Sequence, residues 1–204
     1  MKSTPERVLD AAEDLFAAKG FEATSMGEVA EAVGIKAPSL YNHFRNKEAL
    51  YEAVLDRLIE KFKRPMTELV GLEQVSAEQV LAWQRHMIDA HVENPNLARL
   101  MQYAALSGGP GVKKLIDELI RPLIAEPVKQ ITGIDSPSLV QRPDLRPWVV
   151  MAFNNIVMSY ITMGPMYRDI IGVEPFSDEA KAMQAESINL LTRAFMNYDP
   201  DTGQ

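Results

Sequence analysis

Helix start and stop signals recur along the whole chain, and they constrain the fold more than any other feature. Ser25 is followed three residues later by Glu28, a pair that predicts a capping box at a helix start. Gly20 and Gly34 stand where helices are expected to end, because glycine readily adopts the left-handed conformation of a helix terminus. No alternation of apolar and polar residues typical of a strand is found. The sequence therefore predicts an all-α fold of about nine helices.

Further signals place the ends of other helices. Thr4 is predicted to cap the first helix, with Pro5 in its first turn, and Asn46 is predicted to cap the fourth. Pro122 and Pro127 interrupt a later helical stretch, and this leaves open whether it is one kinked helix or two.

Two longer stretches lie near the C-terminal part of the chain. Residues 132–143 are the best loop candidate there. The apolar stretch of residues 148–166 contains Asn, Ser and Thr side chains and ends at Gly164 and Pro165. We therefore predict a buried helix in this stretch rather than a membrane span.

Composition limits the class of protein. The chain has 204 residues, of which 47% are hydrophobic, enough for the core of one large domain, or of one small domain joined to a medium one. It has no Cys, which excludes disulfides, thiolate metal sites and cysteine nucleophiles. The first residues lack the apolar segment of a signal peptide, so we expect a soluble cytoplasmic protein that does not bind a membrane.

The charge distribution points to the N-terminal part as the place for an anionic partner. The net charge of −7 argues against a protein that coats nucleic acid non-specifically. Residues 1–64 contain 10 Lys and Arg and 11 Asp and Glu, so they carry only −1 of that total.

The segment from residue 25 to residue 50 has the spacing of a helix-turn-helix. Ala30 is small enough for two helices to cross closely, Gly34 suits the turn, and Leu40 can pack back from the second helix onto the first. Further apolar residues supply the buried side of the unit: Val29, Val33 and Ile35.

The same segment resembles a known DNA-binding domain. Residues 21–25, 28–30, 39–44 and 47–50 read FEATS, EVA, SLYNHF and KEAL. Over about a quarter of the chain this pattern is similar to the DNA-binding domain of the tetracycline-repressor (TetR) family of bacterial transcription regulators. The resemblance implies a DNA-binding domain over residues 1–47 and a helical effector-binding and dimerisation domain over residues 48–204, with a connecting helix over 48–64.

The resemblance also assigns roles to single residues, ten in all. Those at the start and on the face of the second helix correspond to residues that reach into the major groove: Lys36, Ala37, Pro38, Ser39 and Asn42. The others correspond to phosphate contacts: Thr24, Ser25, Tyr41, His43 and Lys47.

Lys47 is predicted to contact a phosphate on a second ground. A cation in the first turn of a helix opposes the helix dipole, which is unfavourable unless an external anion lies there.

Methionine and aromatic residues are concentrated in the C-terminal part, and methionine suits a cavity that adapts its shape. With the resemblance, this predicts a pocket for a small, mainly apolar effector. Its candidate lining residues are Trp83, His86, Met87, Met101, Gln102, Phe153, Asn154 and Met158. His86 and His91 lie on different sides of a helix and do not form a metal pair, so no metal site or other cofactor is predicted.

The last two predicted helices have more apolar surface than a monomer of this size needs to expose. In the family that the chain resembles, the equivalent helices form a four-helix bundle across a two-fold axis. The candidate interface residues are Met151, Ile161, Met183, Ile188, Leu191 and Phe195. The alternative is that these faces close the core of the monomer.

The sequence thus predicts a homodimeric regulator that binds double-stranded DNA at a palindromic operator, a repressor released by its effector. No catalytic residues are predicted, and the protein is not expected to be an enzyme. One alternative is a ligand-independent DNA-binding protein of the same fold. A less favoured one is a helical small-molecule-binding protein or enzyme.

Overall fold

The computed structural model describes residues 2–125, 129–132 and 144–197. The chain forms two compact units. The first unit comprises Met1–Phe62 and Pro95–Glu118, and the second comprises Lys63–Asn94 and Leu119–Gln204.

Helices dominate both units. Four precede residue 70: α1 (Thr4–Ala23), α2 (Met26–Val33), α3 (Ala37–Tyr41) and α4 (Lys47–Thr67). The next two are α5 (Ala77–Glu93) and α6 (Pro95–Ser107). We count as α7 the continuous run of Val112–Leu115, a π-helical turn at Ile116–Ile120, and Arg121–Ala125. The last two are α8 (Arg146–Ile171) and α9 (Asp178–Asn197). Counted in this way, the described residues form nine helices, and the predicted all-α class is confirmed.

Two short strands correct the expectation that the chain has none. β1 (Gln74–Ser76) pairs in parallel with β2 (Gln130–Thr132) in the second unit. Thr132 therefore belongs to a strand, and the rest of the predicted loop, residues 133–143, lies outside the described residues.

The first helix begins one residue earlier than predicted. Ser3, rather than Thr4, is the N-cap residue, and its hydroxyl oxygen accepts a hydrogen bond from the backbone nitrogen of Glu6. The Glu6 carboxylate accepts one in return from the backbone nitrogen of Ser3 at 2.7 Å. The prediction was wrong because Ser3 and Glu6 form a full capping box, which Thr4 cannot form with Arg7.

Pro122 of α7 follows a widened turn and does not divide the helix in two. Pro122 lacks a backbone N–H, and its ring would clash with the carbonyl one turn earlier in an ideal α-helix. The π-helical turn at Ile116–Ile120 lies immediately before it and relieves this crowding. Pro127 lies outside the described residues.

A network of charged and polar side chains joins three helices of the first unit. On α4, Arg57 donates to the Asp10 carboxylate at 2.7 Å and also pairs with Glu13, both on α1. On α6, the Asn96 amide donates to Asp14 at 3.0 Å. Apolar side chains of the same helices are fully buried, among them Val8, Phe16, Leu58 and Leu97.

Helix α1 is broken near its end by Gly20. This residue has φ +80° and ψ 173°, a conformation that only glycine adopts at low cost. A Cβ atom at this position would lie 3.0 Å from Cδ1 of Tyr103 on α6. The predicted stop at Gly20 is therefore seen as a break, after which three more residues are helical before Thr24.

Much of the long helix α8 is exposed, which corrects the prediction of a buried helix. Among the described residues it is the one helix with the length and composition of a membrane span, over Pro147–Ile171 with a mean hydropathy of 1.2. Only 28% of that apolar window is buried. One such helix is weak evidence for a span, because the core helix of a soluble protein can have the same length and composition.

We expect Gly20→Ala to lower the free energy of unfolding by about 1–3 kcal/mol, because a methyl group makes the backbone conformation of this residue unfavourable. Gly27→Ala is the matched control, because Gly27 lies within helix α2 and its nearest neighbour is Ser25 Oγ at 3.9 Å. This control should leave stability unchanged or raise it by up to about 1 kcal/mol. Urea unfolding measures both effects, and equal stabilities for the two variants would contradict the account of the break.

Candidate nucleic-acid interface

Helices α2 and α3 form the predicted helix-turn-helix. Ala30 and Leu40 are buried where the two helices pack, and Gly34 between them has the left-handed conformation, with φ +73°. Arg7 of α1 donates to the backbone oxygen of Val33 at 2.6 Å, which fixes the C-terminal end of α2 against α1. The buried positions predicted for this unit are confirmed, except that Ile35 is only half-buried.

The capping box predicted at the start of α2 is present. Ser25 Oγ accepts a hydrogen bond from the Glu28 backbone nitrogen at 3.3 Å, and the Ser25 backbone nitrogen donates to the Glu28 carboxylate at 2.8 Å. Lys19 of α1 also pairs with Glu28. The hydrogen bonds from Lys19 and then from Ser25 lower the pKa of Glu28 to about 2.

This lowered pKa predicts an acid-sensitive helix start. Glu28 has a pKa of about 2 in the folded state against 4.5 unperturbed, so its contribution is complete above pH 4.5 and is lost as the pH falls toward 2. We expect Glu28→Gln to show a smaller fall in the urea midpoint than the parent between about pH 6 and pH 3. Glu31→Gln is the control, because the Glu31 side chain makes no hydrogen bond or ion pair with the described residues. A parent-like pH profile for Glu28→Gln would contradict this prediction.

The face of the helix-turn-helix predicted to enter a DNA groove is exposed. Half of the surface of Tyr41 is accessible, and Ser39 is half-buried. The remaining residues predicted on or beside α3 are exposed: Lys36, Ala37, Pro38, Asn42 and His43. The structure thus brings seven of the ten predicted DNA contacts into one segment, and Ser25 is exposed at the start of α2.

Thr24 lies in a position that a phosphate cannot reach. Its side chain is 2% exposed, and its hydroxyl donates to the backbone oxygen of Gly20 at 2.8 Å. The structure therefore corrects its assignment as a side-chain contact: Thr24 stabilises the end of α1. Sequence alone did not show this, because a hydroxyl before a helix suits either role.

Lys47 has partners within the protein. Its Nζ donates to the backbone oxygens of Phe21 and Glu22 at 2.9 Å and 3.3 Å and lies 4.3 Å from the centre of the Phe21 ring. This cation therefore does not require the external anion that its position in the first turn had predicted, because two carbonyl oxygens of α1 compensate its charge. A phosphate contact by Lys47 stays a prediction.

Arg45 is a candidate contact that the sequence reasoning missed. It is exposed in the turn between α3 and α4, beside His43 on the exposed segment. Neither Arg45 nor Lys36 forms an ion pair with the described residues. The sequence signal that could have identified Arg45 is its position directly before Asn46, the predicted cap of α4. The Asn46 side-chain oxygen accepts a hydrogen bond from the backbone nitrogen of Ala49 at 2.8 Å.

The predicted effector residues are divided between the two units. Met101 and Gln102 belong to the first unit, whereas the other six belong to the second. There, Trp83 packs against Phe153 at a ring distance of 5.5 Å and donates its Nε1–H to the Pro65 backbone oxygen at 2.8 Å. Asn154 is half-buried on α8.

Three of these six assignments fit a lining role poorly. His86 is exposed and its ring lies 3.5 Å from the Glu68 carboxylate, so the structure corrects its placement in a pocket. Met87 and Met158 are buried, at 2% and 6% exposure, and act as core residues in this structure. Among the described residues, no group of three or more His, Asp or Glu has the arrangement of a metal site.

The predicted dimer residues divide by their exposure. Ile161 and Ile188 are 0% and 2% exposed, so the structure corrects their assignment: they close the core of their own chain. The others remain accessible, at 46% to 65% exposure: Met151, Met183, Leu191 and Phe195. Apolar residues that the prediction omitted are accessible as well: Trp148, Met163, Met166 and Leu190.

Helices α2 and α3 with the turn between them form a helix-turn-helix, and comparison with known proteins shows which helix-turn-helix proteins this chain is similar to. Residues 8–54 match the family described as bacterial regulatory proteins, tetR family. Over 77 residues the chain is 46% identical to the HTH-type transcriptional repressor ComR of Escherichia coli, a match that covers 38% of this chain and 37% of ComR.

Solved structures agree with the described fold over most of the chain. The Streptomyces coelicolor protein SCO4942 has a TM-score of 0.62 at 21% identity, covering 93% of this chain and 98% of that one. A complex of SmeT with triclosan has a TM-score of 0.53 at 16% identity, covering 93% and 91%.

Residues 8–54 are thus similar to the DNA-binding domain of the tetR family of bacterial regulatory proteins, and the match to ComR spans little more than a third of that relative's length.

Proposed function

We propose that the protein is a dimeric, sequence-specific DNA-binding transcription regulator, and a repressor that a small apolar effector releases from its operator. The exposed segment from Lys36 to Arg45 carries this proposal. It presents two cations without an ion pair among the described residues, together with amide, phenol and imidazole groups, on a helix-turn-helix that is otherwise well packed.

The chemistry of these groups separates two kinds of contact. The Asn42 amide can form paired hydrogen bonds with an adenine edge in the major groove, which would make it a determinant of sequence. Lys36 and Arg45 can neutralise phosphates, which fixes the position of the protein but carries little sequence information. Further proposed phosphate contacts are Ser25, Tyr41, His43 and Lys47.

Selection from a random duplex library tests the proposed function. The full chain is incubated with the library at two salt concentrations, and bound duplexes are sequenced over several rounds. Enrichment of one inverted repeat supports a dimeric regulator, since two symmetry-related helix-turn-helices contact half-sites about one DNA turn apart, roughly 34 Å. Failure to enrich any sequence from folded protein would overturn the proposal.

We expect Asn42→Ala and Arg45→Ala to weaken binding in different ways. Removal of the Asn42 amide should cost about 1–3 kcal/mol on the selected duplex and relax the preference at one position of each half-site. Removal of the Arg45 charge should weaken binding to all duplexes and reduce the slope of log K against log salt by about 1 per contact. Fluorescence anisotropy at several salt concentrations measures both effects.

The control for this pair is Glu60→Ala. Glu60 is an exposed residue of α4 that lies far from α3 in the sequence. It should retain the parental preference and salt dependence. Parental binding by both test variants on every duplex would refute the assignment of α3 and its following turn as the reading surface.

The exposed faces of α8 and α9 support a homodimer. Accessible and half-buried residues recur at alternating steps of four and three, a spacing typical of helices that pack along a seam. On α8 these are Trp148, Ala152, Asn155, Ser159, Thr162 and Met166, and on α9 they are Met183, Ser187, Leu190 and Ala194. The amide of Asn155 in the middle of the α8 seam is costly in a lipid bilayer and favours a protein partner.

We expect Leu190→Arg to shift the protein to monomers, because a charged side chain would be buried in the centre of the α9 seam. Leu106→Arg is the matched control: Leu106 is 87% exposed on α6, against 62% for Leu190 on α9. Sedimentation equilibrium should give a monomer for the first variant and a dimer for the second. Dimers of both variants would contradict the assigned seam.

An apolar effector is supported by two observations of different kinds. Trp83 and Phe153 place two half-buried aromatic rings together in the second unit. SmeT, a protein of similar fold, is known in complex with triclosan. A panel of apolar metabolites tested by thermal unfolding examines this part, because a ligand that binds the folded state raises the melting temperature. A panel without any shift favours ligand-independent DNA binding. We expect the protein to act in the cytoplasm, where its DNA target lies.

A further inference from the structure

The segment that connects α1 to the helix-turn-helix is held by its own Thr24 and by side chains from α4 and α6. After the break at Gly20, the carbonyl groups around it no longer all have the hydrogen bonds of a continuous helix. Thr24 donates to the backbone oxygen of Gly20 at 2.8 Å, and Lys47 donates to that of Phe21 at 2.9 Å. The position of the segment therefore depends on these donors.

Tyr103 of α6 supplies a third donor on the other side of the break. Its hydroxyl donates to the backbone oxygen of Ala18 at 3.0 Å. Its ring covers Gly20 so closely that a Cβ there would lie 3.0 Å from Cδ1. The backbone conformation at Gly20 and the position of Tyr103 thus depend on each other.

The segment beyond the break leads directly into the start of α2. Phe21 packs at 5.0 Å from the Tyr51 ring of α4, between the broken end of α1 and α4. Three residues after Phe21 comes Thr24, and Ser25 then caps α2. A shift in the path of residues 18–23 therefore changes the position of the helix-turn-helix relative to the rest of the first unit.

We propose that Tyr103 is a positioning residue for DNA recognition: by holding the broken end of α1, it sets the orientation of the helix-turn-helix without contacting DNA. This inference rests on the proposed function for its consequence in DNA binding. It assigns to α6, outside the DNA-binding domain that the sequence predicts, a direct part in that domain's geometry.

Tyr103→Phe tests the proposal most sharply, because it removes the hydroxyl and keeps the ring over Gly20. The probe is the duplex enriched by the parent protein, compared with a scrambled duplex of equal length. We expect affinity for the enriched duplex to fall about 2- to 12-fold, the effect of one lost hydrogen bond. Affinity for the scrambled duplex and the salt slope should stay at the parental values, because no phosphate contact is removed.

Hydrogen exchange of the free protein gives a readout that does not depend on DNA. The backbone amide of Thr24, which donates to the Phe21 oxygen at 3.3 Å, should exchange faster in Tyr103→Phe than in the parent. The control is Leu106→Gln on the same helix, which should match the parent in exchange, in affinity and in melting temperature.

The outcomes distinguish the inference from the proposed function. Parental exchange at Thr24, or parental affinity of Tyr103→Phe for the enriched duplex, overturns the positioning role. Parallel loss of affinity for both duplexes with a lower melting temperature also overturns it, since that result indicates a purely structural residue. If the parent enriches no duplex, the proposed function fails, and the exchange measurement still decides whether Tyr103 holds the segment.

Discussion

The position of the helix-turn-helix depends on how the chain leaves helix α1. A continuous helix would carry its direction rigidly into the next element, but Gly20 interrupts α1 just before α2 begins. Side chains from α4 and α6 then satisfy backbone oxygens on both sides of the break. The orientation of the DNA-facing surface is thus determined by tertiary contacts within the first unit, in addition to the packing of α2 on α3.

The local signals of the sequence were sufficient for the helices and for the buried side of the helix-turn-helix. Ser25 with Glu28, and Gly34, act through neighbours within a few residues, so their roles can be predicted from spacing alone. Strands β1 and β2 could not be predicted in this way. Each is three residues long, and each gains its hydrogen bonds from a partner far along the chain.

The errors at the candidate site also have a common physical cause. Lys47 looked unfavourable at the start of a helix because its partners, two carbonyl oxygens of α1, are distant in sequence. For α8 and α9, the sequence indicated apolar residues but left open which side of each helix faces the core. Ile161 and Ile188 proved to be buried, whereas Met166 and Leu190 are exposed on other sides of the same helices. Which side of a helix faces its neighbours depends on tertiary packing, and the apolar pattern of one helix does not determine it.

The central claim is that two copies of this chain recognise one DNA sequence together. Native mass spectrometry of the full chain mixed with its enriched duplex, and separately with a scrambled duplex of equal length, tests it most directly. The account predicts a complex of two chains with one enriched duplex, and much weaker occupancy of the scrambled one at the same salt concentration. A single bound chain, or equal occupancy of both duplexes, would contradict the claim.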